Sequence, residues 1–238
     1  MPDRILVLAG TASTNLDVRR LAETCWPEGR WLRAERQTAG KGRLGRAWLG
    51  EPGNLFASTL IELRPTDPAA TDIALLAGVA AYDALVDLLP DVPFRLKWPN
   101  DVMVGRAKLA GMLLERVPRG VVLGVGINVA HAPALPDRET VALADLAEGD
   151  EVSVAGLAEA LADHFAHWLA RWRAAGTAIV IEAWLERGHR HGEALEARLP
   201  DGETVRGAFA GLDPIGALIV GLDDGARRVI HAGDVGLL

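Results

Sequence analysis

Gln37-Thr38-Ala39-Gly40-Lys41-Gly42-Arg43-Leu44-Gly45-Arg46-Ala47-Trp48 is the stretch on which the fold class turns. Residues 40–45 satisfy G-x-G-x-x-G, which in a dinucleotide-binding fold comes after a strand and opens a helix. A strand-like run, Trp31 to Gln37, does precede it. The next residues are Leu49-Gly50-Glu51-Pro52-Gly53, and glycine and proline at that spacing cannot open a helix. A P-loop is excluded as well, because Gly42 stands where Ser or Thr is required and Glu35 where the first glycine is required. Between Arg36 and Gly50 lie four cations (Arg36, Lys41, Arg43 and Arg46) and no carboxylate. Bare backbone amides beside Lys and Arg side chains suit carboxylate and phosphate together. A flexible surface loop is the plain alternative.

Outward from this loop the chain alternates short apolar runs with helical patterns. Strands are expected at Arg4 to Leu8, Trp31 to Gln37, Asn54 to Glu62, Phe94 to Trp98, Lys108 to Glu115 and Gly120 to Val129. A helix is expected from about Thr14 to Cys25, with Ser13 as its N-cap. Asp72 to Leu89 is apolar on most faces, which predicts a helix packed deeply against a sheet. Ser153 to Trp172 repeats Val154, Leu157, Leu161, Phe165, Trp168 and Trp172 at three- or four-residue spacing, which predicts an amphipathic helix lying across that sheet. After Ala183-Trp184 the texture changes to short strands, Glu193 to Arg198, Thr204 to Leu212, Ala217 to Leu222 and Arg227 to Ala232. They are separated by Asp-Gly, Asp-Pro-Ile-Gly and Asp-Asp-Gly turns. The patterns divide the chain into residues 1–190 and a small β unit, 191–238.

Composition bounds the function. The 238 residues are 50% hydrophobic and 24% charged, as in ordinary globular proteins, which excludes disorder and fibrous repeats. One cysteine, Cys25, permits neither a disulfide framework nor a multi-cysteine zinc site. No signal peptide is evident, and the apolar run Ile73 to Tyr82 is far below a bilayer span, so a cytoplasmic location and no membrane partner are expected. Lys plus Arg number 25 against 32 acids, a formal charge of −7, which makes a poor non-specific nucleic-acid binder. A basic loop on an acidic chain points to a small anionic ligand.

Three further segments stand out. Lys97-Trp98-Pro99-Asn100-Asp101 contains a tight turn flanked by opposite charges. Lys108 lies inside the apolar run Ala107 to Leu114, either snorkelling at an edge or serving an anion in a cleft. Gly124-Val125-Gly126-Ile127-Asn128 ends a strand with glycines that let a ligand approach the backbone, while Asn128 could equally cap the strand. His164, His167, His189 and His191 match no metal template and read as solvent-exposed histidines.

Taken together, Ser13-Thr14-Asn15, Gln37 to Trp48, Lys97 to Asp101, Lys108-Leu109-Ala110-Gly111 and Gly124 to Asn128 resemble the catalytic core of biotin–protein ligases. Five pieces in this order form a specific signal across most of residues 10–130. The last strands, with Asp213-Pro214-Ile215-Gly216-Ala217-Leu218 at a characteristic turn, resemble the family's small SH3-like β-barrel.

The resemblance implies an α+β fold, a mixed β-sheet with helices on one face akin to class II aminoacyl-tRNA synthetases, followed by that barrel. It implies biotin, ATP and Mg²⁺ as ligands and a biotin carboxyl carrier protein as partner. In the implied reaction biotin is adenylated to biotinoyl-5′-AMP and then passed to a carrier lysine. Lys41 and Arg43, with the amides of Gly40 and Gly42, would hold the biotin carboxylate and α-phosphate. Lys108 would neutralise developing charge, Arg46 would meet phosphate, and Trp48 and Asn128 would face adenine. Ser13, Thr14, Asn15 and Gln37 would receive the ureido ring, Gly111 and Gly124 would belong to the same pocket, and Asp101 would stand on the Mg²⁺ side. Lys41 departs from the arginine of many relatives, keeping charge but losing a bidentate fork. No helix-turn-helix pattern precedes Arg4, so no specific DNA binding is expected; a homodimer stays open. The competing readings are a lipoate or octanoate ligase and a non-catalytic biotin or nucleotide sensor.

Overall fold

Alternation along the strands sets the architecture. In the computed structural model, which describes residues 4–24, 26–147 and 152–238, Trp31 and Leu32 are both buried yet belong to different apolar clusters. The same is true of Ile61 and Leu60, and of Leu123 and Val122. Adjacent side chains of a strand point to opposite faces, so these strands are covered on both sides.

In chain order the larger unit comprises β1 (Ile5–Leu8), α1 (Thr14–Leu21), β2 (Trp31–Ala34), β3 (Gln37–Lys41), β4 (Ala47–Gly50), β5 (Leu55–Glu62), α2 (Ile73–Leu88), β6 (Phe94–Lys97), β7 (Asp101–Val104), β8 (Ala107–Val117), β9 (Gly120–Ile127), α3 (Val154–Ala175) and α4 (Thr177–Arg187). Seven of its strands form one mixed sheet in the order β1-β2-β5-β9-β8-β7-β6. β1 and β2 are parallel and every other neighbour is antiparallel. Among the described residues no helix is long and apolar enough to cross a membrane.

Helices cover both faces of this sheet rather than one. α2 is buried on nearly every side, as its composition predicts, between the sheet and the two later helices. α3 therefore does not lie across the sheet. It stacks mainly on α2 and touches the sheet more lightly, at β5 and at β2, where the Phe165 ring meets Trp31 edge-on at 5.6 Å. α1 packs on the opposite face, with Val18 against Leu32, Leu60 and Val122. Ser13 caps α1 as expected, accepting from the Leu16 amide, and the helix ends at Leu21; its expected end at Cys25 lies outside the described residues.

The strand expected from Trp31 to Gln37 is broken at Glu35-Arg36. There the chain leaves the main sheet, and β3 pairs with β4 in a separate hairpin. The sequence patterns do not flag β7, α4 or the last strand, although Val180, Ala183 and Trp184 do keep helical spacing on the buried side of α4.

The second unit is a five-stranded antiparallel sheet of β10 (Ala194–Arg198), β11 (Thr204–Leu212), β12 (Leu218–Gly221), β13 (Arg227–Ile230) and β14 (Asp234–Leu237), ordered β13-β12-β11-β10-β14. It is clamped to the β6–β7 turn. Trp98 Nε1–H donates to Gly216 O at 3.0 Å, and the Trp98 amide donates to His189 Nε2 at 3.3 Å. Arg95 meets both oxygens of Glu193, at 3.1 and 2.7 Å. His189 is thus a buried interface residue, not a solvent-exposed one, because its ring fills the joint against Trp184 and Phe209.

Burial holds the His189 imidazole down to about 4, against a partial counter-effect from Glu193 and with Arg95 and Lys97 adding to the depression. In the unfolded chain the group titrates near its ordinary value, so between these limits the unfolded state binds more protons. Stability contributed by neutral His189 is complete above about pH 6.5 and falls by about 3 kcal/mol as pH drops to 4. Urea midpoints measured from pH 7 to 4.5 should decline, and His189→Gln should flatten that decline. An unchanged slope in the variant would refute the assignment.

Candidate active site

Glycines leave part of the α1 face of the sheet bare. Gly111 of β8 pairs with Gly126 of β9, and Leu113 pairs with Gly124. α1 covers the neighbouring strands and reaches this floor through Asn15 at Gly124. The β3–β4 hairpin arches over it, tied at its base where the Thr38 and Ala39 amides donate to Thr11 O and Ala12 O. The result is a cavity of about 1190 Å³ lined from the hairpin, the start of α1, the β6–β7 turn, β8, β9, the loop after β9, and β14.

One end of the cavity is lined by uncharged polar side chains, Ser13, Thr14, Asn15 and Gln37, held from behind by Ser58 and Glu115. Gln37 Oε1 accepts from the Thr14 amide at 2.8 Å and from Thr14 Oγ1 at 3.1 Å. The Ser58 hydroxyl lies 2.7 Å from Thr14 Oγ1 and 2.6 Å from Asn15 Oδ1. Asn15 Nδ2 donates to Glu115 Oε2 at 2.8 Å. A Cβ added at Gly124 would sit 2.0 Å from Asn15 Oδ1, and one at Gly126 would sit 2.5 Å from the Trp48 ring. These glycines therefore make room for two side chains of the protein, rather than bringing the sheet backbone itself to a ligand. The Trp48 indole lies over Gly111 and Gly126, and its buried Nε1–H has no acceptor among the described residues.

The other end is ionic. Lys108 is part-buried in the cleft wall, not at an edge, because β7 and β9 flank its strand. Its Nζ donates to Asp101 Oδ1 at 2.6 Å, and Lys97 Nζ lies 3.5 Å from Asp101 Oδ2. Burial opposes the Asp101 charge, but Lys108 and Lys97 outweigh it and hold the carboxylate below its usual range. Burial lowers Lys108, and Asp101 returns only part of that loss. Both Asp101 oxygens are thus committed to lysines, and among the described residues no cluster of three metal-ligating side chains exists. This donor set makes an ion pair and does not make a metal cage.

The hairpin turn carries Arg43 and Arg46 across to the second unit. Gly42 N–H donates to Arg46 O at 2.7 Å, with Leu44 and Gly45 in left-handed conformation at φ 56° and 74°. Arg43 donates to Asn100 Oδ1 at 3.1 Å and to Gly233 O at 3.0 Å. Arg46 pairs with Asp234, which lies 3.5 Å from Arg43 as well. Burial lowers both arginines first of all.

Of the residues expected from sequence, Ser13, Thr14, Asn15, Gln37, Lys41, Gly42, Arg43, Arg46, Trp48, Asp101, Lys108, Gly111, Gly124 and Asn128 line this one cavity. Gly40 does not. A Cβ there would meet Trp48 O at 2.6 Å and Gln37 Nε2 at 2.8 Å, so Gly40 serves the close approach of the two hairpin strands. Asn128 spends its amide donors on Val141 O at 3.1 Å and Lys108 O at 3.4 Å, which pins the loop after β9 to β8. Ser58, Glu115, Arg138 and Asp234 were not legible as site residues, since each is placed by pairing with segments distant in the chain; Asn100 lay within the Lys97 to Asp101 motif without a role of its own.

Residues 10–131 match the model of the biotin/lipoate A/B protein ligase family, and residues 191–238 match the biotin protein ligase C-terminal domain. A biotin–[acetyl-CoA-carboxylase] ligase of Paracoccus denitrificans is 39% identical, the alignment covering 96% of this chain and 98% of that protein. One from Mycobacterium tuberculosis is 35% identical, covering 96% and 87%. The biotin protein ligase of Aquifex aeolicus in complex with biotin and ATP superposes with a TM-score of 0.86 at 24% identity, covering 98% of each chain, and so shares the fold.

Proposed function

Since the chain belongs to the biotin/lipoate A/B protein ligase family, we propose that it is a biotin–[acetyl-CoA-carboxylase] ligase in which this one cavity carries both the adenylation of biotin and its transfer. The observation that carries this reading is the juxtaposition of uncharged polar side chains at Thr14, Asn15 and Gln37 with part-buried cations around Lys108 in one cavity. A neutral heterocycle bearing a carboxylate needs the first at one end and the second at the other.

The chemistry is dictated by charge. A carboxylate must approach a triphosphate, and like-charge repulsion is the main obstacle. The carboxylate oxygen forms a bond to the α-phosphorus, the bond to the bridging oxygen breaks, and pyrophosphate leaves with the electron pair. Lys108, fixed by Asp101, supplies positive charge where the oxygens of the reacting phosphorus gather negative charge. Arg43 and Arg46 exchange Gly233 O and Asp234 for the anions of substrate, and Lys41 joins them from the hairpin. Trp48, with its unpaired N–H, offers the nucleotide an aromatic surface and a donor. Mg²⁺ enters with ATP as part of the substrate. In the second half the carrier lysine nitrogen attacks the acyl carbon, AMP leaves, and the amide nitrogen loses its proton.

In this reading residues 1–190 bind biotin and ATP, and residues 191–238 hold the hairpin arginines and the β6–β7 turn from outside. The partner is the carrier protein or domain of a biotin-dependent carboxylase. Sequence-specific DNA is not a partner, a reading supported by the charge of −7 and by the commitment of Arg43 and Arg46 to the cavity. The deciding experiment is pyrophosphate–ATP exchange with biotin, lipoate or octanoate supplied separately. Exchange dependent on biotin alone is expected; exchange driven by lipoate or octanoate would favour the other branch of the family.

Arg43 also bears on retention of the intermediate. It ties the hairpin to the β6–β7 turn and to the second unit, closing the cavity over whatever lies beneath. Arg43→Gly should release biotinoyl-AMP, read as biotinylation of bystander lysines in a mixture containing an unrelated protein. Labelling confined to the carrier would contradict this role.

A further inference from the structure

Arg138 lies outside all of the sequence motifs, on the loop between β9 and α3. Its position is nonetheless fixed by the strand that carries Lys108. The Lys108 amide donates to Glu139 O at 2.9 Å, and the Val141 amide donates to Lys108 O at 3.1 Å, so this segment runs beside Lys108 as a short parallel bridge. Arg138 and Arg46 line the same cavity, one from this loop and one from the hairpin.

Each guanidinium has a neighbouring carboxylate, Asp137 for Arg138 and Asp234 for Arg46. The Asp137 side chain is 59% exposed and that of Asp234 38%, so both pairs are open to solvent and readily exchanged. Burial depresses Arg46 and the nearby Arg138 and Arg43 charges depress it further, with Asp101 and Asp137 returning part of the loss, so Arg138 is close enough in this cavity for its charge to be felt at Arg46. Lys108 and Asp101 lie at the buried end of this ionic region, while Arg46 and Arg138 are part-exposed at its outer end. A linear anion whose reacting atom sits at Lys108 must run its remaining charge outward, past Arg46 and Arg138.

We propose that Arg138 binds the β,γ-phosphate end of ATP together with Arg46 and holds the pyrophosphate as it leaves. This rests on the ligase reading and deepens it. In the adenylation step the α-phosphorus gains the carboxylate oxygen and loses the bridging oxygen, and the negative charge collects on the departing pyrophosphate. A guanidinium there, able to offer two parallel N–H donors, stabilises the leaving group as charge builds. Asp137 is released to solvent in the exchange.

The test is biotin-dependent pyrophosphate–ATP exchange by the full chain and by Arg138→Ala, with KM determined separately for ATP, pyrophosphate and biotin. Loss of a charge-assisted contact should raise KM for ATP and for pyrophosphate together, by about tenfold, and leave KM for biotin within twofold. Arg138→Lys, which keeps the charge and loses the fork, should fall between the two. KM values for ATP and pyrophosphate within twofold of the unmodified chain would overturn the proposal while leaving the ligase reading intact. An equal rise for biotin would also overturn it, as a general distortion of the cavity. Absence of biotin-dependent exchange in the unmodified chain would instead refute the ligase reading, and this proposal with it.

Discussion

Replacing Lys108 with alanine should reduce biotin-dependent pyrophosphate exchange by about 100- to 1,000-fold, the usual cost of removing one preorganised charge-stabilising donor. The loss should come with little change in fold. Lys97 remains 3.5 Å from the opposite oxygen of Asp101, so the variant does not leave that buried carboxylate without a cation. Circular dichroism and the thermal midpoint should therefore change far less than the rate. Both should be measured on the same preparation. Exchange within tenfold of the unmodified chain would show that Lys108 only satisfies Asp101, and that the charge on the reacting phosphate is met elsewhere.

Gly124→Ala should produce the second large effect, on biotin rather than on nucleotide. The added methyl would sit 2.0 Å from Asn15 Oδ1 and 2.8 Å from Asn15 Cγ. Asn15 is buried, held by Ser58 at 2.6 Å and by Glu115 at 2.8 Å, so it cannot swing aside without breaking the network that includes Thr14 and Gln37. Losing one or two hydrogen bonds of a buried polar site corresponds to about a 10- to 100-fold weaker Kd for biotin, which calorimetric titration reads directly. KM for ATP should move much less. In an Asn15→Ala background the clash with the Asn15 amide is gone, so adding Gly124→Ala there should cost little further. If the double variant instead shows the full additional loss, the glycine is needed for contact between ligand and backbone, as the strand-end pattern first suggests.

Much of the fold was legible because its signals are local. Gly50, Pro52 and Gly53 exclude a helix after the glycine loop whatever the rest of the chain does, since proline lacks the donor and glycine the restraint that a helix needs. The uniform apolarity of α2 requires cover on more than one side, and it is buried on nearly all of them. The boundaries of β5, β9 and β11 follow from alternation and turn residues to within a residue or two. Most candidate site residues were legible as well, because a carboxylate–phosphate reaction calls for cations and backbone donors that a sequence displays openly.

What the sequence by itself determined was therefore a set of elements and a chemical requirement: alternating strands, capped helices, and a cluster of cations on a glycine-rich turn within an acidic chain. The tertiary structure alone decided which groups answer that requirement together. It brought Arg43 to Asn100 and Gly233, Arg46 to Asp234, and Asn15 to Glu115, pairs separated by 57 to 190 residues. It turned His189 from a surface residue into the buried joint beneath the β6–β7 turn, and it showed Gly40 letting the two hairpin strands close on each other and Gly124 making room for Asn15. The physical reason is that backbone propensity acts over a few residues, whereas desolvation and Coulomb energy depend on distance in space. No pattern of spacing along a chain reports that distance.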